Sequence, residues 1–182
     1  MRAPLGYRPA RHRRPRRADR PPPSHVDPHL CTGCEQCAID CPFDAIQMIP
    51  VTTNRVGRAA QVDPARCVSC GVCAGSCAPM AVGPPERTGR EQLAAARDFA
   101  AAQRLGPNDV VLVACRNGAG GLAARESVGA APVFPVGCGG NLHTSVVESL
   151  LRAGAGGVLV AACPPRDCTS REGARWLEAR LF

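Results

Sequence analysis

The second half of the chain alternates between short apolar runs and longer amphipathic segments. The apolar runs predict three buried strands, at residues 109–114, 132–136 and 157–162. The amphipathic segments predict three helices, at residues 89–105, 141–155 and 170–182. Strands that alternate with helices at this spacing indicate a small α/β domain with a parallel sheet, which we place at residues 90–182.

Four cysteines follow the ends of these predicted strands. Cys115 follows the first strand, Cys138 the second and Cys163 the third, and Cys168 lies in the same loop as Cys163. Because the carboxyl ends of parallel strands meet at one edge of a sheet, we expect the four thiols to converge there. A single cysteine is typical of a buried core position, but the four together predict a metal site. A redox disulfide and a zinc site are the alternatives.

A repeated cysteine pattern dominates the first half of the chain. Eight of the twelve cysteines fall into two copies of C-x2-C-x2-C-x3-C, namely CTGCEQCAIDCP from residue 31 and CVSCGVCAGSCAP from residue 67. The same offset of 36 residues relates Val26-Asp27-Pro28 to Val62-Asp63-Pro64. These matches predict an internal duplication over residues 25–85.

This cysteine spacing is typical of proteins that hold two 4Fe–4S clusters, in which the fourth cysteine of each run ligates the other cluster. The predicted ligands of the first cluster are Cys31, Cys34, Cys37 and Cys77. The predicted ligands of the second cluster are Cys67, Cys70, Cys73 and Cys41. Two zinc sites built from the same thiolates are the alternative, although zinc does not require the additional cysteines in each run.

Residues 25–85 resemble the bacterial-type two-cluster ferredoxins. The resemblance implies a pseudo-symmetric α+β fold of two short hairpins and two helices around the clusters. One difference between the repeats is that Pro42 directly follows Cys41, whereas Ala78 separates Cys77 from Pro79.

Residues 107–182 resemble the iron–sulfur (delta) subunit of methyl-viologen-reducing hydrogenases. The matching elements are VVLVAC, PVGCG, RAGAGGVLV and the C-x4-C run followed by REG. In that family the subunit links a hydrogenase to the flavin subunit of heterodisulfide reductase and carries a 2Fe–2S cluster. The chain differs in having Gly118 where the family has a second cysteine, and Pro164 and Thr169 where it has histidines.

This second resemblance implies a 2Fe–2S cluster on the four strand-end cysteines, Cys115, Cys138, Cys163 and Cys168. Four thiolates also suit a 4Fe–4S cluster, so the ligand set by itself leaves the cluster type open.

The net charge of +7 lies in the first twenty residues, which hold eight Arg and one Asp. The rest of the chain holds equal numbers of Arg and acidic residues. The Arg/Pro-rich composition predicts a disordered basic tail over residues 1–24, because it offers too few apolar residues to form a core. We expect a solvated tail, with a nucleic-acid-binding or membrane-docking arm as the alternative.

The cysteines also bear on the compartment. No secretory segment precedes the first cysteine motif, and no apolar stretch approaches the ~18 residues of a membrane span. We therefore expect a cytoplasmic protein with reduced thiols rather than a disulfide-rich secreted protein.

Two further motifs carry weaker signals. Residues 118–123 satisfy G-x-G-x-x-A after a predicted strand, but the acidic residue expected after the next strand is absent, which argues against dinucleotide binding. His143 is expected to cap the helix that it opens or to face solvent there, rather than to bind iron. Trp176 lies at a helical spacing that predicts a core position.

No acid–base pair, activated nucleophile or phosphate-binding loop is evident in the sequence. We therefore expect a non-catalytic electron-transfer subunit. It would relay electrons between a flavin or heterodisulfide-reductase-like subunit and a hydrogenase or other dehydrogenase. The alternative is an iron–sulfur redox or metal sensor with a nucleic-acid-binding tail, which salt-dependent DNA binding would reveal.

Overall fold

Residues 21–83 form an N-terminal module of short strands and helices in the computed structural model, which describes residues 21–118 and 131–181. The elements are β1 (His25–Val26), α1 (Gln36–Ile39), β2 (Ile46–Pro50), β3 (Arg58–Val62), α2 (Val72–Ser76) and β4 (Val82–Gly83). Two antiparallel two-stranded sheets are formed, one by β1 and β4 and the other by β2 and β3.

The two halves of this module are related by the predicted duplication. The amide of Asp27 donates to the carbonyl of Ala81 at 2.8 Å, and the equivalent bond from Asp63 to Ala45 is also 2.8 Å. Each bond runs from one repeat to the other, so the repeats exchange strands. Two hairpins were expected, and one is observed, formed by the consecutive strands β2 and β3. The other sheet pairs β1 with β4, which lie at opposite ends of the module sequence.

Thiols and small side chains make up the interior of the N-terminal module. Its buried cluster consists of Cys37, Ala60, Cys73, Cys77, Ala81 and Val82. A module of about sixty residues buries little apolar surface, and this one surrounds its cysteines instead of a conventional core. A ligand bound by those cysteines would therefore supply part of its stability.

Residues 84–88 connect the two modules through a packed joint. Pro84 is fully buried, and the Arg87 guanidinium donates to the carbonyl of Ser69 at 3.0 Å. Thr88 begins the next helix with a capping box, in which its hydroxyl accepts from the amide of Glu91 and its amide donates to the Glu91 carboxylate. The joint therefore holds the two modules in a defined arrangement.

Residues 89–118 and 131–181 form the C-terminal module, which has the predicted α/β architecture. Its elements are α3 (Gly89–Gln103), β5 (Val110–Cys115), β6 (Val133–Val136), α4 (Thr144–Arg152), β7 (Gly157–Ala161) and α5 (Gly173–Leu181). The three strands form a parallel sheet in the order β6-β5-β7. The chain runs from the central strand to one neighbour and then crosses to the other, which places a switch point at the carboxyl end of β5.

The larger core of the C-terminal module lies on one face of this sheet, and a smaller buried cluster around Leu112 and Ala114 lies on the other. The larger core contains residues of α3, α4, α5 and the strands, and the rings of Phe99 and Phe134 pack edge to face at 5.3 Å. In α5 the buried residues are Gly173 and Leu177, whereas Trp176, for which the sequence predicted a core position, is only half-buried. Among the described helices, none combines the length and apolar character needed to cross a bilayer.

Candidate metal centres

The N-terminal module contains two similar cavities, each lined by four cysteines. The first cavity is small, with about 10 Å³ of space for water. Its cysteines are Cys31, Cys34, Cys37 and Cys77. The second cavity is equally small, at about 10 Å³. Its cysteines are Cys41, Cys67, Cys70 and Cys73.

These two sets are the ones that the sequence predicted. The fourth cysteine of each repeat lines the cavity of the other repeat because it follows a short helix that leads across the module. The thiols of each set are too far apart to bind one metal ion, and they surround a cavity instead. Within residues 21–118 and 131–181, no three His, Cys, Asp or Glu side chains converge closely enough to hold a single metal ion.

Local backbone geometry shapes both cavities. Gly33 and Glu35 adopt left-handed conformations with φ of 70° and 67°, and their repeat equivalents Ser69 and Gly71 do the same, with φ of 58° and 81°. These turns let three closely spaced cysteines face one space, and the short helices α1 and α2 then begin.

Hydrogen bonds from the backbone reach several sulfur atoms. The amide of Ala45 donates to Sγ of Cys41 at 3.4 Å, and the amide of Ala81 donates to Sγ of Cys77 at 3.2 Å. Ser24, which the sequence places at the end of the tail, is buried with its hydroxyl 3.4 Å from Sγ of another cavity cysteine, Cys73. Hydrogen bonds of this kind stabilise negative charge on sulfur and tune the potential of bound clusters.

The thiols of each cavity also interact electrostatically. Burial, together with repulsion from Cys77, Cys31 and Cys34, raises the pKa of Cys37 to about 12. Burial likewise raises the pKa of Cys73 to about 12. Without metal, the thiols of Cys37 and Cys73 are therefore protonated at neutral pH, and a metal must displace their protons when it binds. It follows that cluster assembly is favoured as the pH rises.

The remaining four cysteines meet at the carboxyl edge of the parallel sheet. Cys115 ends β5, while Cys138 and Cys163 each lie two residues after their strands. The sulfur atoms of Cys115 and Cys163 are 3.5 Å apart. All four residues are free thiols, and three of them are buried. We refer to Cys115, Cys138, Cys163 and Cys168 as the four-thiol site.

Gly173, the first residue of α5, makes room for the other two thiols of this site. A Cβ atom at Gly173 would lie 2.6 Å from Sγ of Cys138 and 3.2 Å from Sγ of Cys168. Burial raises the pKa of Cys138, a hydrogen bond with Ser170 opposes this, and repulsion from Cys168 and Cys115 adds to it. The four thiols thus form one electrostatically connected group.

Gly173→Ala should therefore disrupt the four-thiol site and spare the two cavities, because the new methyl group overlaps the Cys138 sulfur. We expect metal bound at this site to be lost while metal bound in the two cavities is retained. The matched control is Gly157→Ala in the same module, where the nearest atom to the new methyl group is 3.6 Å away. Full metal content in both variants would show that the site tolerates the methyl group.

The second cavity lies against the four-thiol site. Burial raises the pKa of Cys70 to about 11, and the thiol of Cys138 contributes to this increase through its proximity. A hydrogen bond also links the two modules here, because Nδ2 of Asn141 donates to the carbonyl of Gly71, the residue after Cys70, at 2.9 Å. The two sites are therefore neighbours across the boundary between the modules.

His143 serves this boundary and is not arranged as an iron ligand. Its Nδ1 accepts from the amide of Ser145 at 3.2 Å and caps α4, as the sequence predicted. Its Nε2 lies 3.2 Å from the carbonyl oxygen of Cys77. Both ring nitrogens are thus engaged, and burial lowers the pKa of the imidazole, which favours its neutral form.

Comparison with protein families agrees with this geometry. Residues 30–81 match the family model described as a 4Fe–4S dicluster domain. Residues 110–182 match the model of the delta subunit of methyl-viologen-reducing hydrogenase. Each match covers less than half of the chain, and the two matches follow one another along it. A comparison with curated proteins found no match.

The two resemblances seen in the sequence are confirmed by these matches. The N-terminal module contains the dicluster match and the C-terminal module contains the delta-subunit match, and we refer to them as the dicluster domain and the delta-subunit domain. The chain therefore has an iron–sulfur electron-transfer role, with 4Fe–4S clusters in the dicluster domain.

Two sequence features fall partly or wholly outside the described residues. Residues 1–20 of the basic tail lie outside them, as do residues 119–123 of the G-x-G-x-x-A motif. Gly118 is described, and a Cβ atom there would lie 3.3 Å from the amide nitrogen of Cys163. The position where the related family has an additional cysteine is thus beside the four-thiol site.

Proposed function

We propose that the chain relays single electrons through three iron–sulfur centres in series, between a flavin or heterodisulfide-reductase-like subunit and a hydrogenase or other dehydrogenase. The dicluster domain would hold one 4Fe–4S cluster in each cavity, and the delta-subunit domain would hold a 2Fe–2S cluster at the four-thiol site. Clusters of these types, when bound, accept and release one electron at a time.

The residues present fit such clusters. The first cavity offers Cys31, Cys34, Cys37 and Cys77, and the second offers Cys67, Cys70, Cys73 and Cys41. Each cavity has four thiolates, the usual ligand number for 4Fe–4S, and hydrogen-bond donors to sulfur. The local turns present the thiols around a space of similar size in both repeats.

The packing of the second cavity against the four-thiol site is the observation that carries the proposal, since Asn141, three residues after Cys138, donates to the carbonyl of Gly71, the neighbour of Cys70, at 2.9 Å. It joins the second cavity to the four-thiol site, and the shared helices α1 and α2 join the second cavity to the first. The order along the molecule is therefore first cavity, second cavity, four-thiol site. At the outer end of this series, Cys34 of the first cavity is exposed.

The four-thiol site supports a 2Fe–2S cluster through its ligand number and arrangement. Cys115 and Cys163 form one close pair, and Cys138 and Cys168 flank Gly173 as another. Two pairs of thiolates are what two iron atoms require, with one pair on each iron. The resemblance to the hydrogenase delta subunit supports a partner that docks at this end of the chain.

Metal analysis tests the proposal. Protein purified without oxygen should contain about ten iron atoms per chain, as two 4Fe–4S clusters and one 2Fe–2S cluster supply. It should also show three reducible centres by EPR and copurify with flavin-containing or hydrogenase-type subunits. Zinc in place of iron, or eight iron atoms with zinc at the four-thiol site, would rule out the three-centre relay.

A further inference from the structure

One largely buried arginine of the delta-subunit domain reaches into the dicluster domain. Arg180 lies in α5, and only 13% of its side chain is exposed. Its Nη1 donates to the carbonyl of Gly140 at 2.7 Å. Gly140 lies two residues after Cys138, so this bond fixes the guanidinium to a segment that carries a thiol of the four-thiol site.

The second terminal nitrogen of the guanidinium, Nη2, lies among three acceptors of the dicluster domain. Nη2 is 2.5 Å from Oγ of Ser76, 3.2 Å from the carboxylate of Asp40 and 3.3 Å from the carbonyl of Val72. The Ser76 hydroxyl in turn lies 2.6 Å from the Asp40 carboxylate, to which it donates. Asp40 is almost fully buried, with 3% of its side chain exposed.

Asp40 and Ser76 are equivalent positions of the two repeats. They are 36 residues apart, and they immediately precede the fourth cysteines, Cys41 and Cys77. Arg180 therefore lies where the two halves of the dicluster domain meet. A single planar group is bonded to segments that carry thiols of all three sites.

The residues around Arg180 also affect the stability of its positive charge. Burial lowers the pKa of Arg180, while Asp40 and the nearby thiols of Cys73 and Cys138 raise it. The attraction is mutual, so the guanidinium favours negative charge on those sulfur atoms. A centre bound by either thiol becomes easier to reduce, because added negative charge is partly compensated.

We propose that Arg180 is a positioning residue that seats the delta-subunit domain on both repeats of the dicluster domain and so sets the separation between the second cavity and the four-thiol site. The proposal rests on the electron-relay function proposed above. Arginine suits the task because its planar fork can bond several acceptors at fixed angles, whereas lysine carries a point charge on a flexible stem.

Hydrogen exchange in the cluster-loaded full chain tests the seating. Arg180→Met should accelerate amide exchange at Val72–Ser76 and at Gly139–Asn141, because the bonds that tie these segments to α5 are lost. Arg180→Lys should accelerate exchange in these segments to a smaller extent. It replaces the Met variant in this test if Arg180→Met does not fold. The matched control is Arg175→Met on the same helix, whose side chain is 69% exposed. Exchange in both Arg180 variants equal to that of the control would overturn the proposal.

Redox titration followed by EPR tests the electrostatic part. In Arg180→Met the centres of the second cavity and the four-thiol site should both become harder to reduce, and their magnetic interaction should change with their separation. Arg180→Lys keeps the charge and should restore the potentials while leaving the altered interaction. Unchanged potentials and interaction in Arg180→Met would contradict the role of Arg180.

The two arms separate this proposal from the relay itself. Hydrogen exchange reports the seating whichever metal occupies the four-thiol site. Zinc at that site with accelerated exchange in Arg180→Met would refute the relay and retain the seating. Three iron–sulfur centres with unchanged exchange and potentials would retain the relay and refute the role of Arg180.

Discussion

Replacing Cys163 with alanine is expected to empty the four-thiol site and to stop electron transfer to the partner complex. The site has four thiolates with none to spare, and Cys163 forms the close pair with Cys115. Bound iron should fall from about ten atoms per chain to about eight, with both 4Fe–4S signals retained. Iron and sulfide analysis, EPR and transfer rates with the copurified partner measure this result.

Cys168→Ala should behave in the same way, because Cys168 shares a loop with Cys163 and flanks Gly173. Thr169→Ala is the matched control, since Thr169 is the exposed neighbour of Cys168 in that loop. If both cysteine variants keep full iron content and full transfer rates, the site is structural and the relay through this domain is wrong.

Replacing the fourth cysteine of each repeat with alanine should show that each repeat supplies one ligand to the cluster of the other. Cys77 lines the first cavity and Cys41 lines the second. The EPR spectrum of Cys77→Ala should therefore resemble that of Cys31→Ala, in which a ligand of the first motif is lost. Cys41→Ala should instead resemble Cys67→Ala.

The two fourth-cysteine variants control for each other, because they are repeat-related and remove the same atoms. They should differ in where the relay is interrupted, since the second cavity adjoins the four-thiol site. A Cys77→Ala spectrum that matches Cys67→Ala would show that each motif keeps its own fourth ligand, and the crossed assignment would then fail.

Apolar runs account for how well the C-terminal fold could be predicted. Buried strands of a parallel sheet are continuous apolar runs, so the predicted strand at 109–114 and the observed β5 at Val110–Cys115 nearly coincide. The helix predicted at 141–155 is shorter, at Thr144–Arg152, because His143 is extended and caps it. Convergence of the strand-end thiols followed from topology alone.

Long-range polar contacts could not be predicted in the same way. β1 has two residues and shows no hydrophobic pattern, so only its pairing with β4 defines it. An arginine on a terminal helix is usually solvated, and nothing local to Arg180 indicates an acceptor 140 residues away. The polar residues at the equivalent positions Asp40 and Ser76 are the one sequence signal for this contact, and they do not indicate which residue they bind.

The duplication makes Cys34 and Cys70 equivalent, yet their surroundings differ. Gly71, the residue after Cys70, is bonded to Asn141 of the delta-subunit domain, whereas Cys34 is exposed at the surface. The docked domain thus shields one half of a symmetric pair from solvent.

This difference bears on damage as well as on transfer. Dissolved oxygen and other small oxidants reach a thiolate in proportion to its exposure. A centre bound through Cys34 is the first that they meet, and one bound through Cys70 is protected by a neighbouring domain. Exposure to air therefore divides the duplicated centres into a vulnerable outer one and a sheltered inner one, although their ligands are the same.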